Sequence, residues 1–144
     1  MGKKMTDQKK IICDTNIFIQ VLSGDDKIIN AIEFIKHENI LMTSITALEL
    51  CKGALNKKEM KEISSFINLY PILPLNSKSS ILAIDLLKKY SLSHNLSLPD
   101  SLIASISIVE SIELFTLNVK DFHYIKGLKL YYPPNMSNIK RKYT

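Results

Sequence analysis

Short apolar runs alternate along this chain with longer segments in which apolar residues recur at helical spacing. The short runs predict strands at Ile11–Cys13, Ile40–Met42, Ile72–Leu75, Leu114–Leu117 and Leu128–Tyr132. The longer segments predict helices over Asn16–Leu22, Lys27–Lys36, Thr43 or Ser44 to about Leu55, Lys57–Leu69, Ser79–Tyr90 and Pro99–Ser111. Apolar strands separated by helices are typical of a parallel sheet that helices cover on both faces. We therefore expect an α/β fold, a three-layer α/β/α sandwich with a short central parallel sheet.

The length and composition fit one globular domain. The chain has 144 residues, of which 46% are hydrophobic and 23% charged, enough to bury a core without disulfides or a structural metal. Its two cysteines, Cys13 and Cys51, form neither a disulfide framework nor a zinc-ligand pattern, and we expect both to be buried. The apolar run after Lys10 is interrupted at once by polar residues, and no apolar stretch is long enough to cross a bilayer. We therefore expect a cytoplasmic protein with no membrane partner.

The positive charge lies at the two ends of the chain. Residues 1–10 carry four lysines and one aspartate, a net +3, and residues 133–144 carry two lysines and one arginine, another +3. Removing this +6 from the total of +5 leaves residues 11–132 at −1. We therefore expect a basic N-terminal tail (1–10), one domain (11–132) and a basic C-terminal tail (133–144), with both tails polar and disordered. Such tails either help to hold a polyanion or are simply solvated ends, and a nearly neutral domain does not by itself indicate nucleic-acid binding.

Polar side chains stand where three of the predicted strands end. Asp14 follows the first strand, Thr43 follows the second, and Thr116 and Asn118 come at the end of the strand that starts at Leu114. In open α/β sheets, ligands bind outside the carboxyl ends of the strands. Asp14 is therefore a candidate for a functional site, although an aspartate here also suits the N-cap of the following helix.

Three further acidic residues are candidates for the same edge. Glu49 lies within two turns of its helix start and beside the apolar face, where solvated glutamates are also common. Asp100 is in the first turn of a helix that is apolar on nearly every side, and its simplest role is to stabilise that helix terminus. Asp121 follows Asn118 in the segment FTLNVKDF, whose polar residues also suit plain turn chemistry. None of these residues identifies a function alone.

Taken together, four segments resemble a known family. CDTNIFI, TALELCKGA, LPDSLIAS and FTLNVKDFHYIKGLKLYY, in this order and spacing, are similar to the motifs of PIN-domain nucleases, particularly the toxins of VapBC-type type II toxin–antitoxin pairs. The resemblance covers the whole domain from 11 to 132. It implies a cluster of metal-binding carboxylates with supporting polar groups. The residues that it assigns to the catalytic site are Asp14, Asn16, Glu49, Asp100, Thr116, Asn118 and Asp121.

The fourth metal ligand departs from the family pattern. The resemblance implies that Asp14, Glu49 and Asp100 are metal ligands, but the position often occupied by aspartate is Asn118 here, which leaves Asp121 as the nearest carboxylate. Three or four carboxylates in one cleft repel one another and demand either protons or a cation. Oxygen ligands without cysteine or histidine favour Mg²⁺ or Mn²⁺. Whether one or two ions bind stays open at this point.

The resemblance implies a metal-dependent endoribonuclease that acts as the toxin of a toxin–antitoxin pair. Its expected reaction is hydrolysis of RNA phosphodiesters by a metal-activated water, which leaves 3′-hydroxyl and 5′-phosphate ends. Two protein partners are also implied, a cognate antitoxin that covers the groove near the acidic site and a second copy of the chain in a homodimer. The amphipathic helix Lys57–Leu69 is the main candidate for these contacts. Lys52 and Lys120 are candidates to contact phosphates, although solvated lysines are the ordinary case.

Two alternative functions are weighed against this one. A haloacid-dehalogenase-type phosphatase also has an aspartate after its first strand, but it requires a second aspartate two residues later, where this chain has Asn16. It also requires a late pair of acids that the chain lacks. The second alternative is a non-catalytic PIN-like domain that binds RNA or protein, with Asn118 marking a decayed site. Metal-dependent cleavage separates this alternative from an enzyme.

Overall fold

A four-stranded parallel sheet forms the centre of the protein. The computed structural model describes residues 9–136. The strands lie in the order β3-β2-β1-β4, with parallel pairing between neighbours. They are β1 (Ile11–Cys13), β2 (Ile40–Thr43), β3 (Ile72–Leu73) and β4 (Glu113–Phe115). Because β2 and β4 lie on opposite sides of β1, the carboxyl end of β1 is the switch point at which ligands bind in such sheets.

Six helices flank this sheet in the described part of the chain. They are α1 (Thr15–Leu22), α2 (Asp26–Ile35), α3 (Ser44–Lys52), α4 (Lys57–Ile67), α5 (Ser77–His94) and α6 (Leu98–Glu110). None of the six combines the length and the apolar character that a membrane-crossing helix requires.

Alternate residues of the strands face two different helical layers. Ile11 and Cys13 of β1 pack with apolar side chains of α1 and α2, whereas Ile12 packs with those of α5 and α6. The same alternation holds in β4, where Leu114 and Phe115 belong to different cores. Successive side chains of a strand point to opposite faces, so each face of the sheet has its own hydrophobic core. The predicted three-layer sandwich is confirmed.

The last predicted strand, Leu128–Tyr132, is wrong as a full strand. Only Leu130 forms a bridge, in parallel orientation, with Leu114 of β4. Gly127 turns the chain just before this segment, with a φ of 90°. Pro133, which has no N–H to donate, follows it. The segment therefore runs beside β4 for too short a distance to extend the sheet by a regular strand.

Other elements differ from prediction at their ends. β3 stops at Leu73, because Pro74 cannot donate a ladder hydrogen bond. α3 ends earlier than predicted, at Lys52, and α5 ends later than predicted, at His94. Asn95 ends α5 in the left-handed conformation, with a φ of 56°, which asparagine tolerates better than most residues. This turn directs the chain into the start of α6.

The folded unit continues beyond the predicted boundary at Tyr132. Met136 is buried in the core formed with α2, and the Asn135 side chain donates a hydrogen bond to the Lys27 carbonyl at 3.3 Å. The first residues of the predicted C-terminal tail therefore pack on the domain. The rest of both predicted tails, residues 1–8 and 137–144, lies outside the described residues.

The two cysteines have different environments. Cys13 is fully buried as predicted, and burial raises the pKa of its thiol, so it stays protonated at neutral pH. The prediction for Cys51 is wrong, because this side chain is only partly buried. It lines an open groove between α3 and α4 rather than the core.

Candidate active site

Asp14 is the buried centre of the polar cluster at the carboxyl edge of the sheet. It follows β1 directly, and it is only 4% exposed. Its Oδ2 accepts a hydrogen bond from Thr116 Oγ1 at 2.8 Å, and its Oδ1 accepts one from the Thr15 N–H at 2.8 Å. The register that pairs Cys13 with Phe115 makes Asp14 and Thr116 neighbours across the two strands. Asp14 is also the N-cap of α1, so capping and a role in the site are compatible.

Glu49 is tied to the same edge by hydroxyl groups. Thr15 Oγ1 donates to Glu49 Oε1 at 2.6 Å and lies 2.9 Å from Thr46 Oγ1. Because the Thr15 hydroxyl uses its proton on Glu49, the Thr46 hydroxyl donates to Thr15. Thr15 was not among the predicted site residues, although it is the middle residue of the Asp-Thr-Asn segment. Its hydrogen bond to Glu49 could not be predicted from the sequence, because it depends on the packing of α3 beside the end of β1.

Asp100 enters from the N-terminus of α6. Its N–H donates to Ser97 Oγ at 3.2 Å, and Ser97 is the N-cap of the helix. The spacing Ser-x-x-Asp is that of a capping box and is visible in the sequence. Ser97 was nevertheless not among the predicted site residues. The Asp100 side chain is partly buried rather than free in solvent.

The turn after β4 separates the two candidates for the fourth ligand. Asn118 is exposed, and its N–H donates to Thr116 Oγ1 at 3.0 Å. The Asp121 N–H donates to the Asn118 carbonyl at 2.9 Å, which folds the chain back after three residues. The negative charge of Asp121 raises the pKa values of both Asp14 and Asp100. Asp121 is therefore electrostatically part of the acidic cluster.

Two of the acidic residues, Asp14 and Asp100, have raised pKa values. Burial is the main cause that raises the pKa of Asp14, and the charges of Glu49 and Asp121 add to it, while the hydrogen bonds from Thr116 and Thr15 oppose it. Burial and the charge of Asp14 raise the pKa of Asp100 to about 6. No lysine within residues 9–136 forms an ion pair with any of the four carboxylates. Within residues 9–136, lysine side chains therefore do not neutralise these carboxylates.

The donor set fits a hard divalent cation. Asp14, Glu49, Asp100 and Asp121 offer only oxygen ligands, and their mutual repulsion would be relieved by a positive ion. Asn16, two residues after Asp14, has a buried side-chain oxygen without a hydrogen-bond partner, which a metal-bound water or a ligand would satisfy. Within residues 9–136, no three acidic, histidine or cysteine side chains converge closely enough to form a ready-made metal site.

The two candidate phosphate-binding lysines lie at the rim. Lys52 lines an apolar groove between α3 and α6 that also contains Glu49. Lys120 is exposed and lies between Asn118 and Asp121 in the turn after β4. Both cations are near the acidic residues in the chain but point to solvent, as their exposure shows. Their predicted contacts with phosphate stay predictions.

Replacing Asp100 by asparagine should stabilise the metal-free protein at neutral pH. The pKa of Asp100 is raised to about 6 in the folded state, so folding favours the protonated form. The wild-type protein therefore loses stability as pH rises from about 4 through the folded pKa. We expect Asp100→Asn to raise the free energy of unfolding at pH 7.5 by about 1 kcal/mol more than at pH 4, after allowance for solvent screening. Urea denaturation in EDTA at the two pH values measures this difference.

A matched control is Asp85→Asn, which removes an exposed carboxylate from α5. It should change stability by less than about 0.5 kcal/mol at either pH. An equal effect of Asp100→Asn at both pH values would contradict the burial and charge repulsion inferred for Asp100.

Comparison with known proteins identifies the family of this arrangement. Residues 11–128 match the family model of the PIN domain. No curated protein sequence matches the chain. The solved structures, by contrast, include several similar chains.

Three of these structures are toxin–antitoxin complexes. A chain of a toxin–antitoxin complex from Klebsiella pneumoniae is 26% identical, with a TM-score of 0.71, and the match covers 86% of this chain and 99% of that one. A chain of VapBC2 from Rickettsia felis, bound to a promoter DNA fragment, is 25% identical, with a TM-score of 0.72, over 84% and 96% of the two chains. A chain of VapBC-1 from nontypeable Haemophilus influenzae is 26% identical, with a TM-score of 0.69, over 84% and 96%.

Proposed function

Because this chain belongs to the PIN domain family, we propose that it is the nuclease toxin of a toxin–antitoxin pair and that its substrate is RNA. The structural neighbours that are VapBC complexes support the toxin assignment. Family membership also argues against the phosphatase alternative. The single observation that carries a catalytic role is the placement of Asp14, a buried carboxylate at the switch point of the sheet whose pKa is raised by burial and, in smaller part, by the charges of Glu49 and Asp121.

We assign the metal-binding role to Asp14, Glu49, Asp100 and Asp121, with Mg²⁺ or Mn²⁺ as the ion. When bound, such an ion acidifies an attacking water and neutralises charge that develops on the phosphate. The protein supplies a fixed frame for this chemistry. Thr116 holds one carboxylate oxygen of Asp14, and the Thr15 backbone holds the other, so the central ligand has one orientation.

The remaining polar residues have supporting roles. Thr15 fixes Glu49 through its hydroxyl at 2.6 Å. Asn118 fixes Thr116 through its backbone N–H, so its side chain is left to contact substrate or water. Asn16 offers a buried carbonyl oxygen that is otherwise without a partner. Lys52 and Lys120 at the rim are suited to contact phosphates on either side of the scissile bond.

The surface around α3 suits an antitoxin. Leu48 is 65% exposed on α3 and stands between two apolar grooves, one against α4 and one against α6. The second groove contains Glu49, so a peptide segment laid there would cover the acidic site. α4, which has no buried residue and a strongly amphipathic sequence, adds to this surface. We assign these grooves to the cognate antitoxin.

A homodimer needs a different apolar surface. Ile81 is 62% exposed and Ile84 is 54% exposed on α5, and neither residue lines the grooves around α3. Exposed isoleucines one turn apart on a helix form a patch that a second copy of the chain would bury. We assign dimerisation to this helix.

The test of the proposed function is the mapping of RNA ends in cells that express the protein without an antitoxin. When water attacks the phosphorus and the 3′-oxygen leaves, taking up a proton, hydrolysis gives 3′-hydroxyl and 5′-phosphate ends, and the latter can be ligated directly and sequenced. We expect new 5′-phosphate ends at defined sites. These ends should be absent from cells that express the Asp14→Asn variant. A protein that arrests no growth and generates no new ends would instead support the non-catalytic alternative.

Asp121→Asn should lower RNA cleavage mainly when metal is limiting. Asp121 adds negative charge near Asp14 and Asp100, whereas Asn118 contributes only a neutral amide. We expect about a tenfold loss at low Mg²⁺, which corresponds to about 1.4 kcal/mol of metal binding, with partial recovery at high Mg²⁺. Asn118→Asp should have the opposite effect and tighten Mg²⁺ binding. Cleavage rates over a Mg²⁺ titration measure both changes.

Asp85→Asn is the matched control for this titration, because it removes a carboxylate of the same type from exposed α5. If Asp121→Asn leaves both the rate and the metal dependence unchanged, the metal site consists of Asp14, Glu49 and Asp100 alone.

A further inference from the structure

An aromatic cluster lies where α5 ends and the turn after β4 begins. The rings of His94 and Tyr124 are stacked, with centroids 4.0 Å apart and planes inclined by 11°. Tyr90 packs edge-on against both of them, at 5.6 Å from His94 and 5.1 Å from Tyr124. His123 also packs edge-on against Tyr124, at 6.1 Å. The His94 ring is exposed, so it is not part of the hydrophobic core.

The cluster is a neighbour of the acidic site. Tyr124 follows Asp121 by three residues, and His94 precedes Asp100 by six residues, across the turn at Asn95. Burial raises the pKa of the Tyr124 hydroxyl, and the negative charges of Asp100 and Asp121 raise it further. The short chain connections to Asp121 and Asp100 place the stacked pair near the acidic site, and the influence of both carboxylates on the phenol agrees with this placement.

The rings are held in a defined orientation before any ligand binds. The Tyr90 hydroxyl is buried and accepts a hydrogen bond from the Lys126 N–H at 3.1 Å, which anchors the base of the cluster. The His94 Nδ1 shares a hydrogen bond of 2.7 Å with Ser93 Oγ. A flat aromatic surface that is already ordered costs little conformational entropy when a planar ligand stacks on it.

We propose that the stacked pair of His94 and Tyr124 is a binding platform for one nucleobase of the RNA, next to the scissile phosphate. Single-stranded RNA is bound through bases that stack on aromatic side chains, including tyrosine and histidine. Tyr124 covers one face of His94 and Tyr90 packs against the same ring, yet His94 stays exposed, so the base stacks on its exposed surface. The acidic site itself cannot attract a polyanion, and stacking supplies affinity that does not depend on charge.

The proposal rests on the proposed function, since it assigns a subsite for the same RNA. The stacked rings do not select one base by hydrogen bonding, so the platform contributes affinity and orients the RNA strand. A purely structural role for the stack, as a clamp between α5 and the turn after β4, is the competing explanation.

The chain contains a matched control for this explanation. His37 and Tyr70 form a second stacked pair, with centroids 5.3 Å apart and planes inclined by 20°. They precede β2 and β3, so they lie at the amino edge of the sheet, opposite the acidic site. His37→Ala therefore removes an exposed ring of the same kind from a similar stack without touching the proposed platform.

A first experiment tests base stacking without cleavage. Histidine ring protons of the full-length protein are followed by NMR while adenosine 5′-monophosphate is added in Mg²⁺ buffer, with ribose 5-phosphate as the ligand without a base. The His94 signals should move upfield with the nucleotide and not with the sugar phosphate, and the His37 signals should not move. Equal shifts with both ligands, or none with either, would overturn the proposal.

A second experiment measures RNA cleavage by the variants. His94→Ala should raise KM about tenfold with little change in kcat, His94→Phe should restore most of the loss, and His37→Ala should behave like wild type. Equal effects of His94→Ala and His37→Ala would make the stack a structural clamp and overturn the proposal. If the wild-type protein cleaves no RNA, the proposed function fails, and the nucleotide titration still decides whether the platform binds a base.

Discussion

Asp14→Asn should lower RNA cleavage by at least about 10³-fold, which is about 4 kcal/mol of transition-state stabilisation. Asp14 is the most buried of the four carboxylates and the one that Thr116 and the Thr15 backbone orient together. An amide keeps the shape and one accepting oxygen, but it removes the negative charge and one of the two acceptors. The rate of cleavage of a labelled RNA, measured in saturating Mg²⁺, gives the size of the loss.

The same substitution should relieve growth arrest in cells that express the protein alone. The fold should survive, because the Thr116 hydroxyl can rotate and accept from the new amide group. Thermal unfolding of the purified variant checks this, and Asp85→Asn serves as an active control of equal charge change. A folded Asp14→Asn protein that remains toxic would show that toxicity does not come from the acidic site.

Removal of divalent metal should reduce cleavage to background, and Mg²⁺ or Mn²⁺ should restore it. The described chain offers no lysine partner to the four carboxylates, and burial together with charge repulsion raises the pKa of Asp100 to about 6. Without a divalent metal, the carboxylates either bind protons or stay negatively charged and repel a phosphate. Cleavage assays in excess EDTA, followed by titration with each metal, measure the dependence.

Two further observations sharpen the metal experiment. Mg²⁺ should raise the unfolding temperature of the wild-type protein but not that of Asp14→Asn, since a ligand that binds only the folded state stabilises it. The cleavage products should carry 5′-phosphates. Undiminished cleavage in excess chelator, or products that end in 2′,3′-cyclic phosphates, would exclude the proposed mechanism.

The sequence was sufficient for the fold because its signals are local. Ile11–Cys13 and Ile40–Met42 are short and wholly apolar, and Lys57 to Ile67 is amphipathic at helical spacing. Such patterns indicate which residues are buried, and a sheet that is buried on both faces has a layer of helices on each side. Element ends were less predictable, because the end of α5 at His94 depends on a left-handed Asn95. The conformation of the segment around Leu130 depends on its pairing with the edge of β4, and that edge exists only in the assembled sheet.

The sequence by itself also determined which acidic residues to consider. Asp14 and Asp100 stand out through their neighbours in the chain, one after a strand and one at the start of an apolar helix. Their motifs carry the family resemblance. The sequence does not show which carboxylate oxygen accepts a hydrogen bond from which group, because those hydrogen bonds join residues far apart in the chain.

Only the tertiary structure decided how the site is held together. Thr116 reaches Asp14 across a separation of 102 residues, and Thr15 reaches Glu49 across 34. Both contacts exist because parallel pairing aligns the carboxyl ends of β1 and β4 and packs α3 beside them. The turn that carries Asp121 is anchored by fully buried Phe122. Local sequence specifies the elements, but the register between distant strands specifies the distances within the site.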